Sequence, residues 1–458
     1  MRDHRHGRRS GSYCGDTVIG ELEAGVLFGA AERWGTPLFL LSLEEVERHH
    51  SLIVDAFAPT GRHPKLFFSL KTNHLPVVCS HIRNIGCGVE VVCKSELDLA
   101  HQMGFRPEQI VVNGAGKSND YLALALEGGF YCCNVDGIEE AHRLDRLARD
   151  HSKEDVTVGL RVNLDIYPFG AEADSDWMRH HAKFGSTVSN GDARRVAAEV
   201  GACDRLRLKG LHVHLGSPIG SVGTYSKAID RLLEFANDLS DDGHDIRILN
   251  LGGGYATRSL SRISRDRYDR LSDEGRKEAL RLLVDEAEDF DFESLAGHAK
   301  RVPDDMELVL EPGRFLVADS MVYVAEVTSV RRDTGMTWVF LDGGVNHLPT
   351  MGPNELRSIR VLTQRRLNHH AVRERFALAG PVCHRGDVLA YDASLEGGAP
   401  NTGDLIMMGA VGAYSVSMAN SFNGYQPPVV VVEHDGNIRS VWRRETFEDL
   451  FVARRELV

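Results

Sequence analysis

Short apolar, β-branched runs recur along the first two thirds of the chain. They fall at Lys65–Leu70, Gly88–Cys93, Ile110–Asn113, Phe130–Val135, Val156–Asn163, Lys209–Leu215, Ile246–Leu251 and Glu307–Leu310. Between them lie segments such as Ser95–Met103, Gly137–Arg149 and Tyr225–Leu239, where apolar residues return every third or fourth position. That spacing marks one face of a helix. Strand and helix in alternation predict a parallel sheet, because a crossover between parallel strands needs room for a helix. Eight such units predict a closed (β/α)8 barrel, with a doubly wound sheet as the alternative. After Arg314 the texture changes. Val322–Ser329, Thr337–Leu341, Ile359–Thr363, Phe376–Leu378, Asp387–Tyr391, Asp404–Met408 and Val429–Glu433 read as strands broken by Gly, Asp, Asn and Pro turns. The chain therefore reads as α/β plus all-β: a flexible tail over 1–16, a segment over 17–44 whose strand-like Thr36–Leu41 joins the β-domain, a barrel over 45–315 and a C-terminal β-domain over 316–458. Ala256–Arg301, long, charged and poorly patterned, reads as a helical insertion between barrel strands seven and eight.

Composition narrows the class. A chain of 458 residues accommodates two domains and needs no disulfide staples, since folding at this size buries roughly three quarters of the unfolded surface. The net charge of -13 disfavours a nucleic-acid partner, which calls for a basic stripe. No stretch approaches the ~18 apolar residues of a membrane span. Met1–Asp16 is basic and polar without an apolar core, unlike a secretory signal. The eight cysteines, from Cys14 to Cys383, form no Cys-x-x-Cys pair, and their scatter suits a reducing cytoplasm.

A barrel of this kind keeps its active site at the C-terminal ends of its strands. The unusual residues of this chain gather there. Lys71 ends the first strand and Glu90 lies in the second run; Arg161 is near the end of the fifth, and His214 ends the sixth. Gly252-Gly253-Gly254 ends the seventh and Glu311-Pro312-Gly313-Arg314 the eighth. A glycine turn lets backbone N–H groups approach a phosphate, and Arg314 adds a charged fork. Phosphate sites after strands seven and eight recur in such barrels. A partly desolvated lysine has a lowered pKa and can form a Schiff base, so Lys71 with a phosphate site points to pyridoxal 5'-phosphate (PLP). Glu311 would keep the ring nitrogen protonated.

In order, Ser69-Leu70-Lys71-Thr72-Asn73, Lys183-Phe184-Gly185, Gly210-Leu211-His212-Val213-His214-Leu215-Gly216-Ser217, Leu251-Gly252-Gly253-Gly254, Glu311-Pro312-Gly313-Arg314, Gly380-Pro381-Val382-Cys383 with Asp387, and Gly412-Ala413-Tyr414 are jointly specific. The set resembles the fold-type-III PLP decarboxylases, an alanine-racemase-like barrel family that includes diaminopimelate, ornithine and arginine decarboxylases. The nearest branch is similar to diaminopimelate decarboxylase. The resemblance implies a carboxy-lyase acting on a small-molecule amino acid or amino-acid conjugate. It implies that Lys71 carries PLP and that His214 stacks on its ring. Ser217, Gly254, Arg314 and Tyr414 would hold the phosphate, with Gly252, Gly253 and Gly313 among the cofactor contacts; Glu311 would pair with the ring nitrogen, and Arg161 and Glu90 would form a polar network near Lys71. Cys383 would return a proton to Cα, arriving together with Tyr414 from the second subunit of a homodimer with shared active sites.

The chain departs from the family where the far end of the substrate is read. His384 stands where diaminopimelate decarboxylases carry Glu after the Cys; the stretch from Asp342 to Met351 lacks their Arg; and Asn423-Gly424-Tyr425 replaces an Asn-x-Arg. Asp342, His384 and Asn423 are thus the candidate substrate contacts. Intact cofactor machinery with altered readers predicts the same reaction on a different side chain, with a siderophore or other secondary-metabolite pathway as its setting and free diaminopimelate in lysine biosynthesis as the alternative. Three rivals are weaker. A metal hydrolase built on His212-x-His214 would leave Lys71 and Glu311 unexplained, so no metal is expected. A racemase would favour Arg opposite the ring nitrogen, and a non-catalytic regulator would tend to lose Lys71 or Cys383.

Overall fold

In the computed structural model the described residues are 24–166, 183–257, 261–262, 272, 289–351, 355–363, 376–393, 395, 398–433 and 437–451. The tail expected over 1–16 lies outside them. Strand β1 (Leu38–Ser42) precedes the barrel. The barrel strands are β2 (Lys65–Ser69), β3 (Gly88–Val91), β4 (Ile110–Val112), β5 (Cys132–Val135), β6 (Val156–Asn163), β7 (Leu206–His212), β8 (Ile248–Asn250) and β9 (Glu307–Leu310). All pair in parallel, and β9 returns to β2, which closes the ring. The (β/α)8 reading holds and the open doubly wound sheet does not.

Side chains of a strand alternate between faces, so each barrel strand serves two environments. Phe67, Val111, Cys132, Ile248 and Val309 form a small apolar plug. Phe68, Val112, Cys133 and Leu310 belong instead to the large outer core. Two residues beyond the plug, at the C-terminal ends, the residues turn polar: Ser69, Asn113, Asn134, Asn250 and Glu311, each almost fully buried. The plug is the floor of the site and this layer is its lining.

The second domain is a mixed sheet. Its strands are β10 (Met321–Asp333), β11 (Met336–Leu341), β12 (Ile359–Leu362), β13 (Phe376–Ala379), β14 (Val388–Ala393), β15 (Leu405–Met408), β16 (Val429–Val432) and β17 (Ile438–Trp442). Strand β1 lies between β10 and β16, antiparallel to the first and parallel to the second. Both its faces are buried: Phe39 and Leu41 join the main core, while Leu38 and Leu40 join a second one beneath helix Ala24–Trp34. That is why Leu38-Phe39-Leu40-Leu41 shows no alternation. Within Ala256–Arg301, the described elements are a two-residue strand, Ser261–Arg262, paired with Glu355–Leu356, and helix Phe292–Ala299. The expected helical insertion is therefore not helical throughout. Among the described residues no helix is long and apolar enough to cross a membrane.

Candidate active site

Lys71 sits in a 3-10 turn, Leu70–Thr72, immediately after β2. The Thr72 hydroxyl donates to the Ser69 carbonyl at 2.7 Å and tightens the turn. Segment Glu311–Gly313 runs against it. A Cβ on Gly313 would lie 2.5 Å from Thr72 Cγ2, so only glycine permits the approach. Lys71 Nζ donates to Glu90 Oε2 at 2.9 Å, and the Ser69 hydroxyl donates to the same oxygen. The lysine side chain keeps 38% of its surface open toward the barrel mouth. Burial pulls its pKa down, but Glu90, Tyr414 and Glu311 outweigh burial and raise it. A depressed lysine, expected from desolvation alone, is not what the site provides. Unmodified Lys71 is an ammonium held by Glu90, which stands ready as the acceptor of its proton.

Glu311 lies across the mouth. Its carboxylate accepts from Asn250 at 2.7 Å and Asn113 at 3.0 Å, and His212 Nε2 lies 3.3 Å away. Burial pushes this carboxyl up, yet His212, Lys71 and Asn250 hold it below the usual carboxylate range. It is an anion at neutral pH. His214 goes the other way. Burial, with Lys71 and Arg161, drives its pKa down to about 3, and its Nδ1 faces the Gly253 N–H at 3.3 Å. His214 is a neutral ring whose Nδ1 is an acceptor, a flat apolar surface beside the lysine. His212 and His214 thus serve different neighbours, the first Glu311 and the second Gly253.

Arg314, buried and one turn past Glu311, forms the other end. Its Nε donates to Ser217 Oγ at 3.3 Å, and its guanidinium lies 4.9 Å from the Tyr414 ring centroid. Tyr414 belongs to the same chain: its N–H donates to the Thr72 carbonyl at 2.8 Å. The segment is tied there by Asn73, whose side chain donates to the Gly412 carbonyl at 2.9 Å. The expectation that Tyr414 arrives from a second subunit is corrected by these contacts. Of the three glycines after β8, Gly252 spends its N–H on Asn250 and Gly253 on His214. Among the described residues, the Gly254 N–H has no acceptor, so Gly254 alone of the three offers one to an anion. All three glycines are needed for packing: a Cβ on Gly252, Gly253 or Gly254 would fall within 2.3, 2.1 or 1.9 Å of a backbone oxygen.

Five sequence candidates stand outside these hydrogen bonds: Arg161, which acts on His214 through its charge, and Asp342, Cys383, His384 and Asn423. Arg161 is 3.9 Å from Asp136 and stacks 4.5 Å from the Phe184 ring, pairing with neither Lys71 nor Glu90. Asp136 also accepts from the Gly185 N–H at 2.9 Å. Asp342 accepts from the Glu326 N–H at 2.9 Å and bonds Thr36, holding β10 and β11 to the strand before the barrel. Its carboxylate is occupied by the β-domain and does not face the mouth residues. Cys383 and His384 are exposed on a β-domain loop. The Cys383 N–H donates to Asn423 Oδ1 at 3.2 Å, and His384 Nδ1 accepts from the Gly386 N–H at 3.1 Å. Asp387 anchors this loop through the N–H groups of Val345 and Val382. Asn113, Asn134 and Asn250 are not among the residues the sequence marks, and His212 is marked only as half of a metal pair. Their signal was present: Ile110-Val111-Val112-Asn113, Cys132-Cys133-Asn134 and Ile248-Leu249-Asn250 each close an apolar run on an amide.

The donor set has three parts: a guanidinium with a hydroxyl, a tyrosine and a free glycine N–H at one end; an amine at the centre; and an ionised carboxylate with a neutral imidazole beyond it. It fits PLP, a phosphorylated pyridine aldehyde, and defines a PLP-dependent barrel enzyme. Residues 43–318 match the pyridoxal-binding domain of the pyridoxal-dependent decarboxylases. Diaminopimelate decarboxylase of Pseudomonas aeruginosa is 30% identical over 92% of this chain and 94% of its own length. That of Bacillus subtilis is 27% identical over 97% and 96%. The crystal structure of the M. jannaschii diaminopimelate decarboxylase has a TM-score of 0.77 at 24% identity, covering 93% of this chain and 94% of that one. The Helicobacter pylori enzyme complexed with L-lysine scores 0.77 at 22%, over 94% and 99%. At these identities the structural likeness speaks to the fold. The chain belongs to the pyridoxal-dependent decarboxylase family, and is thereby a PLP-dependent carboxy-lyase.

Proposed function

We propose that this chain removes the α-carboxylate of an amino acid, and that free diaminopimelate is its first candidate substrate. The observation that carries the reaction is the Lys71 Nζ–Glu90 contact at 2.9 Å, within hydrogen bonds that continue through Asn113 to Glu311. The relatives named above support diaminopimelate over a secondary-metabolite conjugate. When bound, PLP supplies the electron sink for the charge left as the carboxylate departs. Lys71 carries it through Nζ, and Glu90 holds or takes the Nζ proton. Arg314, Ser217, Tyr414 and the Gly254 N–H grip the phosphate. Glu311 would hold a proton at the ring nitrogen, and neutral His214 would cover a ring face without adding charge. Cys383 delivers the proton to Cα. Its thiol is exposed and its N–H meets Asn423 rather than a mouth residue, so we assign it to the mouth of a second copy in a cytoplasmic homodimer. A thiol is among the side chains that serve as general acids.

One observation favours a second reading, in which the far end of the substrate differs from that of diaminopimelate. Neighbouring Cys383 is His384, a weaker partner for an ammonium than a carboxylate would be. Release of CO2 is measured with diaminopimelate, lysine, ornithine and larger amino-acid conjugates, using wild type and Lys71→Ala. Lys71-dependent release from diaminopimelate supports the first reading. Release only from another substrate selects the second, and no release from any amino acid refutes both.

A further inference from the structure

Asn113 directly follows β4, with its side chain buried between two carboxylates. Its Nδ2 donates to Glu90 Oε1 at 2.9 Å and to Glu311 Oε1 at 3.0 Å. One amide group therefore gives one N–H to the acid that holds Lys71 and the other to the acid across the mouth. The amide cannot turn over without placing its oxygen against both anions. It is also held from behind, since Asn134 Nδ2 donates to Asn113 Oδ1 at 2.7 Å. Asn134 is fixed in turn. A Cβ on Gly159 would lie 2.0 Å from Asn134 Oδ1, so glycine leaves the space it fills. Buried Lys117 donates to the Asn134 carbonyl at 2.7 Å and pairs with Glu140.

We propose that Asn113 is a positioning residue that clamps Glu90 and Glu311 at a fixed separation and lets both remain anionic, with Asn134 as its lock. Two like charges facing each other in a buried site favour protonation of one of them. A donor shared between them opposes that. The clamp thereby couples the acid at the lysine end of the cofactor to the acid at its ring nitrogen. The inference rests on the PLP-dependent reading above. Glu90 also faces Lys71, Glu96 and Tyr121. Glu311 also faces His212, Lys71, His214, Cys132 and Tyr255. None of these supplies a hydrogen bond to both acids.

The test titrates PLP into the apoprotein of wild type, Asn113→Ala and Asn134→Ala, then follows the visible absorbance of the lysine-bound cofactor against pH. Asn113→Ala is expected to bind PLP roughly tenfold more weakly, the order for one hydrogen bond to a charged group. Its absorbance midpoint should move down by about one pH unit, because an acid that takes up a proton no longer supports positive charge on the Lys71 nitrogen. Asn134→Ala keeps the amide but frees it to rotate, and should shift the midpoint in the same direction by less. A merely structural role would lower the melting temperature and leave the midpoint in place. Wild-type affinity and midpoint in Asn113→Ala overturn the proposal. Should that variant not fold, an unchanged midpoint in Asn134→Ala overturns it equally. A wild-type apoprotein that takes up no PLP refutes the functional reading instead, and so the two failures are distinct.

Discussion

The Tyr414 N–H donates to the Thr72 carbonyl at 2.8 Å, which places the tyrosine one residue from Lys71 of its own chain. Cys383 of that chain meets Asn423 instead. Lysine and tyrosine therefore serve a site in cis, whereas the cysteine is assigned to a second copy. Mixing variants separates the two. Lys71→Ala chains mixed with Cys383→Ala chains should recover about a quarter of wild-type activity, since half the random dimers are mixed and each holds one whole site. Lys71→Ala with Tyr414→Ala should recover nothing. Recovery in the second mixture would place Tyr414 in trans, and no recovery in the first would place Cys383 outside the shared site.

Arg314 is a buried fork against Ser217 and the Tyr414 ring. Lysine keeps the charge but loses the planar fork and the stacking. Arg314→Lys is expected to weaken PLP binding ten- to a hundredfold, the cost of a charge-assisted hydrogen bond. Equilibrium titration of the apoprotein measures it, and affinity within twofold of wild type would remove Arg314 from the phosphate site.

The barrel was legible because its pattern is local. Eight apolar runs separated by helical spacing leave few topologies, and Val156–Asn163 and Glu307–Leu310 even share their ends with the observed strands. Lys71, Glu311 and Arg314 were legible because charge at a strand end is rare. The direction of the Lys71 shift was not, because it is set by Glu90 and Tyr414, which arrive from 19 residues on and from another domain. Nor was the role of the asparagines, since an amide at the end of a run looks like an ordinary turn until its partners across the barrel are known. Helix Ala24–Trp34 and β17 were missed: the helix gains its partner surface only when Leu38 and Leu40 turn one face toward it.

Gly254 has φ +103°, and a Cβ there would lie 1.9 Å from the Gly216 carbonyl oxygen. Alanine must both strain the backbone and move the Gly216 loop that follows β7. Gly254→Ala is expected to lower stability by at least about 2 kcal/mol, with a loss of PLP affinity beyond that of a mere fold defect. Chemical denaturation of apoprotein and holoprotein separates the two effects. A variant as stable as wild type would contradict the close packing described.

Glu96 caps the Val92 N–H at 2.8 Å and is almost fully buried. Burial, with Glu90 nearby, pushes its carboxyl up to about 7 against the opposing Val92 hydrogen bond and Lys71. The folded state therefore holds its proton more tightly than the unfolded chain. Stability from this group is complete below the unfolded carboxyl range and is lost as pH rises toward 7. The loss is roughly 3 kcal/mol in full. Glu96→Gln keeps the side-chain acceptor and has no proton to lose. Its stability should fall less than that of wild type between pH 5 and 8 by denaturant titration. Parallel curves would mean that Glu96 does not titrate there.

His384 is exposed beside Cys383, and its Nδ1 is engaged by the Gly386 N–H, leaving Nε2 to face outward. With Nδ1 accepting, the ring hydrogen sits on Nε2, so the imidazole offers a distal ammonium no acceptor, whereas a carboxylate offers a charge and two oxygens. His384→Glu is therefore expected to raise kcat/KM for diaminopimelate several-fold, mainly through KM, because contact with the far end of the substrate is made equally before and during the reaction. An amino acid lacking the distal ammonium should gain nothing. Equal changes for both would show that the substitution acts through the loop rather than through the substrate. No change for either would remove His384 from recognition altogether.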